Sequence, residues 1–158
     1  MPHIHESIDF VVSAYIVFDN NTLLIDHKAL GMWLPIGGHI ELNEHPEEAL
    51  FREIEEESGL GADHLIVLKS NRGEYAASEN RRALFAPVHL DIHRISPTHQ
   101  HVALNYFIKS KVNMVVLAAA EHHAIRWFSQ QELTDPRYNI PGDVQWYAFE
   151  AIKAAQEI

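Results

Sequence analysis

The chain has 158 residues, a formal charge of -10, 47% hydrophobic residues and no cysteine. The length suits one domain, read here as residues 1–158, with a core that needs no disulfide or structural metal. The acidity argues against a nucleic-acid polymer as partner, since such binders present lysines and arginines to phosphate, and the missing cysteine confines any metal to oxygen or imidazole ligands. No apolar run reaches the roughly 20 residues of a membrane span, and the first residues lack a signal-peptide layout, so the expected setting is cytoplasmic.

Residues 10–18 (FVVSAYIVF), a turn at Asp19-Asn20-Asn21 and residues 22–26 (TLLID) predict a β-hairpin. Residues 31–38 (GMWLPIGG) predict a loop that approaches a site closely, with a short strand over 39–42. Asn43 or His45 can cap a helix from Pro46 to Ser58 that ends at Gly59. Strands are predicted at 65–68, 84–92 and 102–108, with polar connections at 70–82 and 96–101. A last strand at 125–128 precedes Ser129-Gln130-Gln131-Glu132, which has the form of a capping box. Val144, Tyr147, Ala148, Ala151, Ile152 and Ala155 recur at helical spacing, giving an amphipathic C-terminal helix. Helices are expected on both faces of a mixed sheet.

Eight of the 22 acidic residues fall between Glu41 and Glu57, opposed there only by Arg52. On the predicted helix, Leu50, Phe51 and Ile54 form an apolar stripe, and Glu53, Glu56 and Glu57 share the adjoining arc. Spacing of i, i+3 and i+4 brings three carboxylates within a few ångströms of one another, a repulsion that a hard divalent cation such as magnesium would relieve. Glu47, Glu48 and Glu55 are expected to face water. A solvated acidic helix is the competing reading, but it must account for the whole pattern G-x5-E-x7-R-E-U-x-E-E-x-G-U from Gly38 to Leu60, where U is apolar. Seven fixed positions at about 6% each make a chance match at a given start rarer than roughly one in 10⁸.

This pattern is the Nudix signature, and the sequence resembles that family over most of its length. The flanks agree: a hairpin precedes the motif, Trp33 and Pro35 stand just before Gly37-Gly38, and Trp127-Phe128 with Glu132-Leu133 resembles the family's distal strand-helix junction. Ile36, between the proline and the glycine pair, is a departure from many members that leaves the spacing intact. The resemblance implies an α/β fold, a Nudix-type α/β/α sandwich on a mixed β-sheet. It implies hydrolysis of a phosphoanhydride bond in a nucleoside diphosphate linked to another moiety, with Mg2+ or Mn2+ as cofactor.

By the same resemblance, Glu53, Glu56 and Glu57 are metal ligands and Gly38 adds its backbone carbonyl. Glu44, Arg52 and Gly59 are architectural, with Arg52 clamping Glu44 or Glu53. Members differ in the general base, so Glu53 and Glu121 are both catalytic candidates. Glu121 follows three alanines in a segment with no strong tether in the sequence.

His39, beside Gly38, and Tyr75 are candidate substrate contacts. His3-x-His5 and His99-x-His101 each put two imidazoles on one face if extended, and are read as surface or hydrogen-bonded histidines rather than metal sites. Lys69, Arg72, Arg81 and Arg82 are the basic concentration, read as a solvated loop that could otherwise steer a polyphosphate. Ala76 stands where ADP-ribose hydrolases tend to carry proline, which counts against that activity. The partner is thus a small nucleotide-type molecule, while the oligomeric state is left open and a homodimer is compatible. A non-catalytic nucleotide-sensing module of the same fold and a small acidic interaction domain are the alternatives. Three mutually repelling carboxylates speak against the first and the motif spacing against the second. Isomerases of this fold use a cysteine, which the chain lacks.

Overall fold

The computed structural model describes residues 4–73 and 78–158. Strand β1 (Ile8–Phe18) and strand β2 (Asn21–His27) form the predicted hairpin, its turn carried by Asp19 and Asn20 at φ 46 and 62. The hairpin pairs at Val17–Thr22 and Phe18–Asn21, and β1 then runs beside β4 (Ile36–His39). The stretch predicted as a loop therefore holds two short strands, β3 (Met32–Leu34) and β4, and the strand expected over 39–42 ends at His39. Gly37 makes this pairing close: a Cβ there would collide with the Val12 carbonyl.

Helix α1 (Pro46–Ser58) has the predicted bounds. His45 is its N-cap in a reciprocal capping box with Glu48, and Gly59 closes it at φ 72. After a single 3-10 turn come β5 (Leu65–Leu68), β6 (His89–Ser96) and β7 (His99–Ser110). The strand predicted over 84–92 starts five residues late, and the polar connection predicted over 96–101 shrinks to a tight turn. The reason is that β6 is largely exposed, so His93 and Arg94 face water and no apolar alternation marks the strand. Strand β8 (His122–Phe128) begins three residues before its predicted start, and α2 (Gln130–Leu133) and α3 (Gly142–Gln156) follow.

The central ladder is β1 against β7, parallel over ten residue pairs from Ile8–Gln100 to Val17–Lys109, with antiparallel pairings outside it. The sheet is thus mixed. Alternation along β1 divides the core. Val12, Ala14 and Ile16 meet Leu50 and Ile54 of α1, whereas Tyr15 and Val17 meet Val144, Ala148 and Ile152 of α3. Ile36, the departure noted above, is fully buried in the α1-side core. No described helix is long and apolar enough to cross a membrane.

Candidate active site

Arg52 organises the N-terminal half of the motif. Its Nε and Nη2 donate to both oxygens of Glu44 at 3.0 and 2.6 Å, and Nη2 also reaches the His39 carbonyl at 3.1 Å. Its Nη1 donates to Glu53 Oε1 at 2.8 Å and to Glu56 Oε2 at 3.1 Å. Both alternatives left open by the sequence, Glu44 and Glu53, are therefore satisfied by one planar fork, and their carboxylates hold Arg52 protonated.

The three helix carboxylates do not meet at one point. Glu53 is buried beneath Gly38, where a Cβ would strike its carboxylate. Glu56 is 61% exposed and shares Arg52 with Glu53, so the guanidinium offsets part of the repulsion expected on this arc. Glu57 is buried and accepts from the Gly37 N–H at 3.1 Å. Its other oxygen lies 2.7 Å from His122 Nε2, a contact that sequence reasoning missed. The side chains that do converge are Glu57, Glu121 and His122, with ligand atoms within 4.8 Å of one another.

Burial pushes the Glu53 carboxyl up to about 7, against the pull of Arg52, and the Glu57 carboxyl up to about 8, against the Gly37 hydrogen bond. Each also feels neighbouring glutamates, which raise it further. Two buried acids whose ionised forms lack enough countercharge, flanked by a glycine main chain and two exposed carboxylates, form an all-oxygen donor set suited to a hard divalent cation. Glu57 and Glu121 stand within reach of one common ion, and Glu53, Glu56 and the Gly38 carbonyl are the further oxygen donors on α1 and β4.

Two expectations need correction. Glu47 does not face water: it is 4% exposed, ion-paired with Arg72, and accepts from the Phe85 N–H at 3.1 Å. Arg72 and Lys69 are exposed, as expected of a solvated basic loop, while pairing with Glu47 and Glu157 respectively. The segment before Glu121 is also tethered, because Lys28 donates to the Ala119 and Ala120 carbonyls and Ala118 accepts from the Glu121 and His122 N–H groups.

A cleft of roughly 540 Å3 opens over this end of the sheet, and Gly38, His39, Glu57 and Glu121 are in its wall. It extends past Tyr15 to Asp91, whose carboxylate accepts from Asn105 Nδ2 at 2.8 Å and the Tyr147 hydroxyl at 2.7 Å. Gly59 serves as the C-cap and lies outside the cleft lining. Tyr75 and Ala76 lie outside the described residues, as does His3.

The family model for the NUDIX domain matches residues 9–152. A CTP pyrophosphohydrolase of Escherichia coli (strain K12) is 31% identical over 152 residues, covering 92% of this chain and 94% of its own. Among solved structures, a NUDIX family hydrolase from Clostridium perfringens superposes with a TM-score of 0.80 at 31% identity, covering 92% of this chain and 96% of its own. A MutT NUDIX hydrolase from Burkholderia pseudomallei gives 0.62 at 22% identity, with 94% and 98% coverage, a likeness of fold.

Proposed function

The chain belongs to the Nudix hydrolase family, and we propose that it cleaves a phosphoanhydride bond in a nucleoside diphosphate bearing a further group, with Mg2+ or Mn2+ as cofactor. The observation that carries this reading is the pair of buried acids, Glu53 and Glu57, set against the Gly37-Gly38 main chain beside a cleft that suits one nucleotide. The CTP pyrophosphohydrolase relative makes a nucleoside triphosphate, split to a monophosphate and pyrophosphate, the leading substrate class.

Glu53, Glu56, Glu57 and the Gly38 carbonyl would hold the cation. When bound, the ion supplies a water of lowered pKa and neutralises charge on the bridging phosphates. Arg52 orients Glu53, and His122 fixes the rotamer of Glu57 through their hydrogen bond. Glu121 or Glu53 accepts the proton of the attacking water, and Glu121 is favoured by its exposure and its proximity to Glu57. His39, in the cleft wall, contacts substrate.

The test is a panel of nucleoside triphosphates, nucleotide sugars, ADP-ribose and dinucleoside polyphosphates, each with and without magnesium, resolved by anion-exchange chromatography. Metal-dependent release of a nucleoside monophosphate is expected. Nucleotide binding without turnover of any member would instead support a sensing module.

A further inference from the structure

A second cluster lies on the α3-side face of the sheet and involves none of the helix glutamates. Asp9 of β1 is fully buried and is the Cα partner of His101 on β7. His99 is two residues earlier on the same face of β7, and His39 stands beside β1 at the end of β4, opposite Val11. Ligand atoms of Asp9, His39 and His101 lie within 4.8 Å of one another. The His101 ring centroid is 4.9 Å from that of His39 and 5.2 Å from that of His99. We propose that Asp9, His39, His99 and His101 form a site for a zinc-class divalent transition ion, separate from the hard-cation site on α1.

Two geometric observations carry this. His39 Nε2 and His99 Nε2 lie 3.2 and 3.3 Å from the same oxygen, Asp9 Oδ2. Ligands about 2.0–2.2 Å from a tetrahedral zinc ion are separated by about 3.4 Å along each edge, and these two imidazole–carboxylate contacts match that spacing. In addition, His99 Nδ1 is 3.0 Å from the Glu6 carbonyl. A carbonyl only accepts, so Nδ1 is the donor there, and Nε2 is the ring nitrogen turned toward the Asp9 carboxylate. A histidine that donates its remote N–H to a backbone carbonyl is the usual arrangement of a metal ligand.

The carboxylate is held in place as well: Asp9 Oδ1 accepts from the His5 N–H at 2.7 Å and Oδ2 from the Ile4 N–H at 3.2 Å. Three imidazoles and one carboxylate select zinc, cobalt or nickel over magnesium. Bound there, the ion would tie β1, β4 and β7 together and add positive charge behind the cleft wall, where His39 and His101 are exposed to a ligand.

The test uses the untagged full chain with Co2+ as a spectroscopic stand-in, in millimolar Mg2+ and in the Glu57→Gln background, so that the α1 site does not compete. One Co2+ per chain is expected, with the visible absorption of a four- or five-coordinate site, displaced by Zn2+. His101→Gln, chosen because its side chain is half-buried, should weaken binding at least about tenfold with the circular dichroism spectrum unchanged. X-ray absorption on the zinc-loaded parent gives a count of imidazole ligands independent of any variant. A cobalt spectrum of the aquo ion alone, or binding that is untouched by both His101→Gln and His39→Gln, overturns the proposal, as does an absorption fit without imidazole.

Discussion

The His122 imidazole lies 2.7 Å from the carboxylate of Glu57, a residue 65 positions earlier in the chain. Burial raises Glu57 and lowers His122, so without a cation both favour their neutral forms and share one hydrogen bond. A divalent ion on Glu57 would ionise the carboxyl and leave an imidazole N–H to donate to it. We expect His122→Ala to weaken magnesium binding by about 10- to 100-fold and to lower kcat/KM at subsaturating metal, with saturating metal restoring part of the rate. Calorimetric titration alongside kinetics at two metal concentrations checks this. Unchanged metal affinity would make His122 a packing residue.

Glu57→Gln keeps size and removes a buried charge. We expect kcat/KM to fall at least about 100-fold, while the melting temperature without metal stays level or rises, because the amide is cheaper to bury than the carboxylate. Turnover at the parental rate would show that the ligand assignment on α1 is wrong.

The two glycines of β4 should respond differently to alanine. At Gly38 the added methyl meets the end of a flexible side chain, Glu53, which can be displaced; at Gly37 it meets the Val12 carbonyl, which cannot move without disturbing β1. Gly38→Ala is therefore expected to fold at near-parental stability with activity and magnesium affinity lost, and Gly37→Ala to lower the unfolding midpoint sharply. Equal stability losses in urea titrations of the two variants would contradict this.

For the general base, the tether from Lys28 changes what should be measured. Glu121 is held near Glu57 before substrate arrives, so Glu121→Gln is expected to lower kcat by roughly 10- to 10⁴-fold and Lys28→Met to lower it less, by releasing the segment. Metal titration separates the roles: near-normal affinity in Glu121→Gln identifies a base, and a parallel loss identifies a ligand. If Glu121→Gln turns over normally, Glu53→Gln becomes the variant to examine.

Glu47 gives a pH dependence. Burial works to raise its carboxyl, but hydrogen bonds from Arg72 and the Phe85 N–H outweigh that and hold it below the usual value. The unfolded state then binds more protons between the folded value and the ordinary value of about 4.3, so this stability is present above the ordinary value and is lost as pH falls through the folded one. We expect Arg72→Met, which removes the partner of a buried carboxylate, to cost roughly 1–2 kcal/mol at pH 7 and to flatten the acid limb of urea midpoints between pH 3 and 6. An acid limb parallel to the parent's would refute it.

The residues near one another in sequence were the readable ones. Helix α1 carried its own cap, period and terminator, and its bounds follow from residues 45–59 alone. Strand β6 was misplaced because an exposed strand has no buried face to impose alternation on its sequence. The contacts that complete the site are long-range: Arg72 reaches Glu47 across 25 residues, Lys28 reaches Ala119 across 91, and His122 was one histidine among twelve. A helical wheel orders the side chains of one helix but says nothing of what another element brings to them, so Glu47 passed for a solvated residue.

The parallel ladder between β1 and β7 joins residues about ninety positions apart. During synthesis the complete motif, from Gly38 to Leu60, leaves the ribosome long before β7 exists, and the edge of β1 that β7 occupies has no partner until about residue 110 has emerged. Closing that loop must precede the central pairing, which makes acquisition of the fold slow and late relative to helix formation. A nascent chain thus carries its finished catalytic helix on an unassembled sheet, and over that interval β1 is the segment most in need of a chaperone.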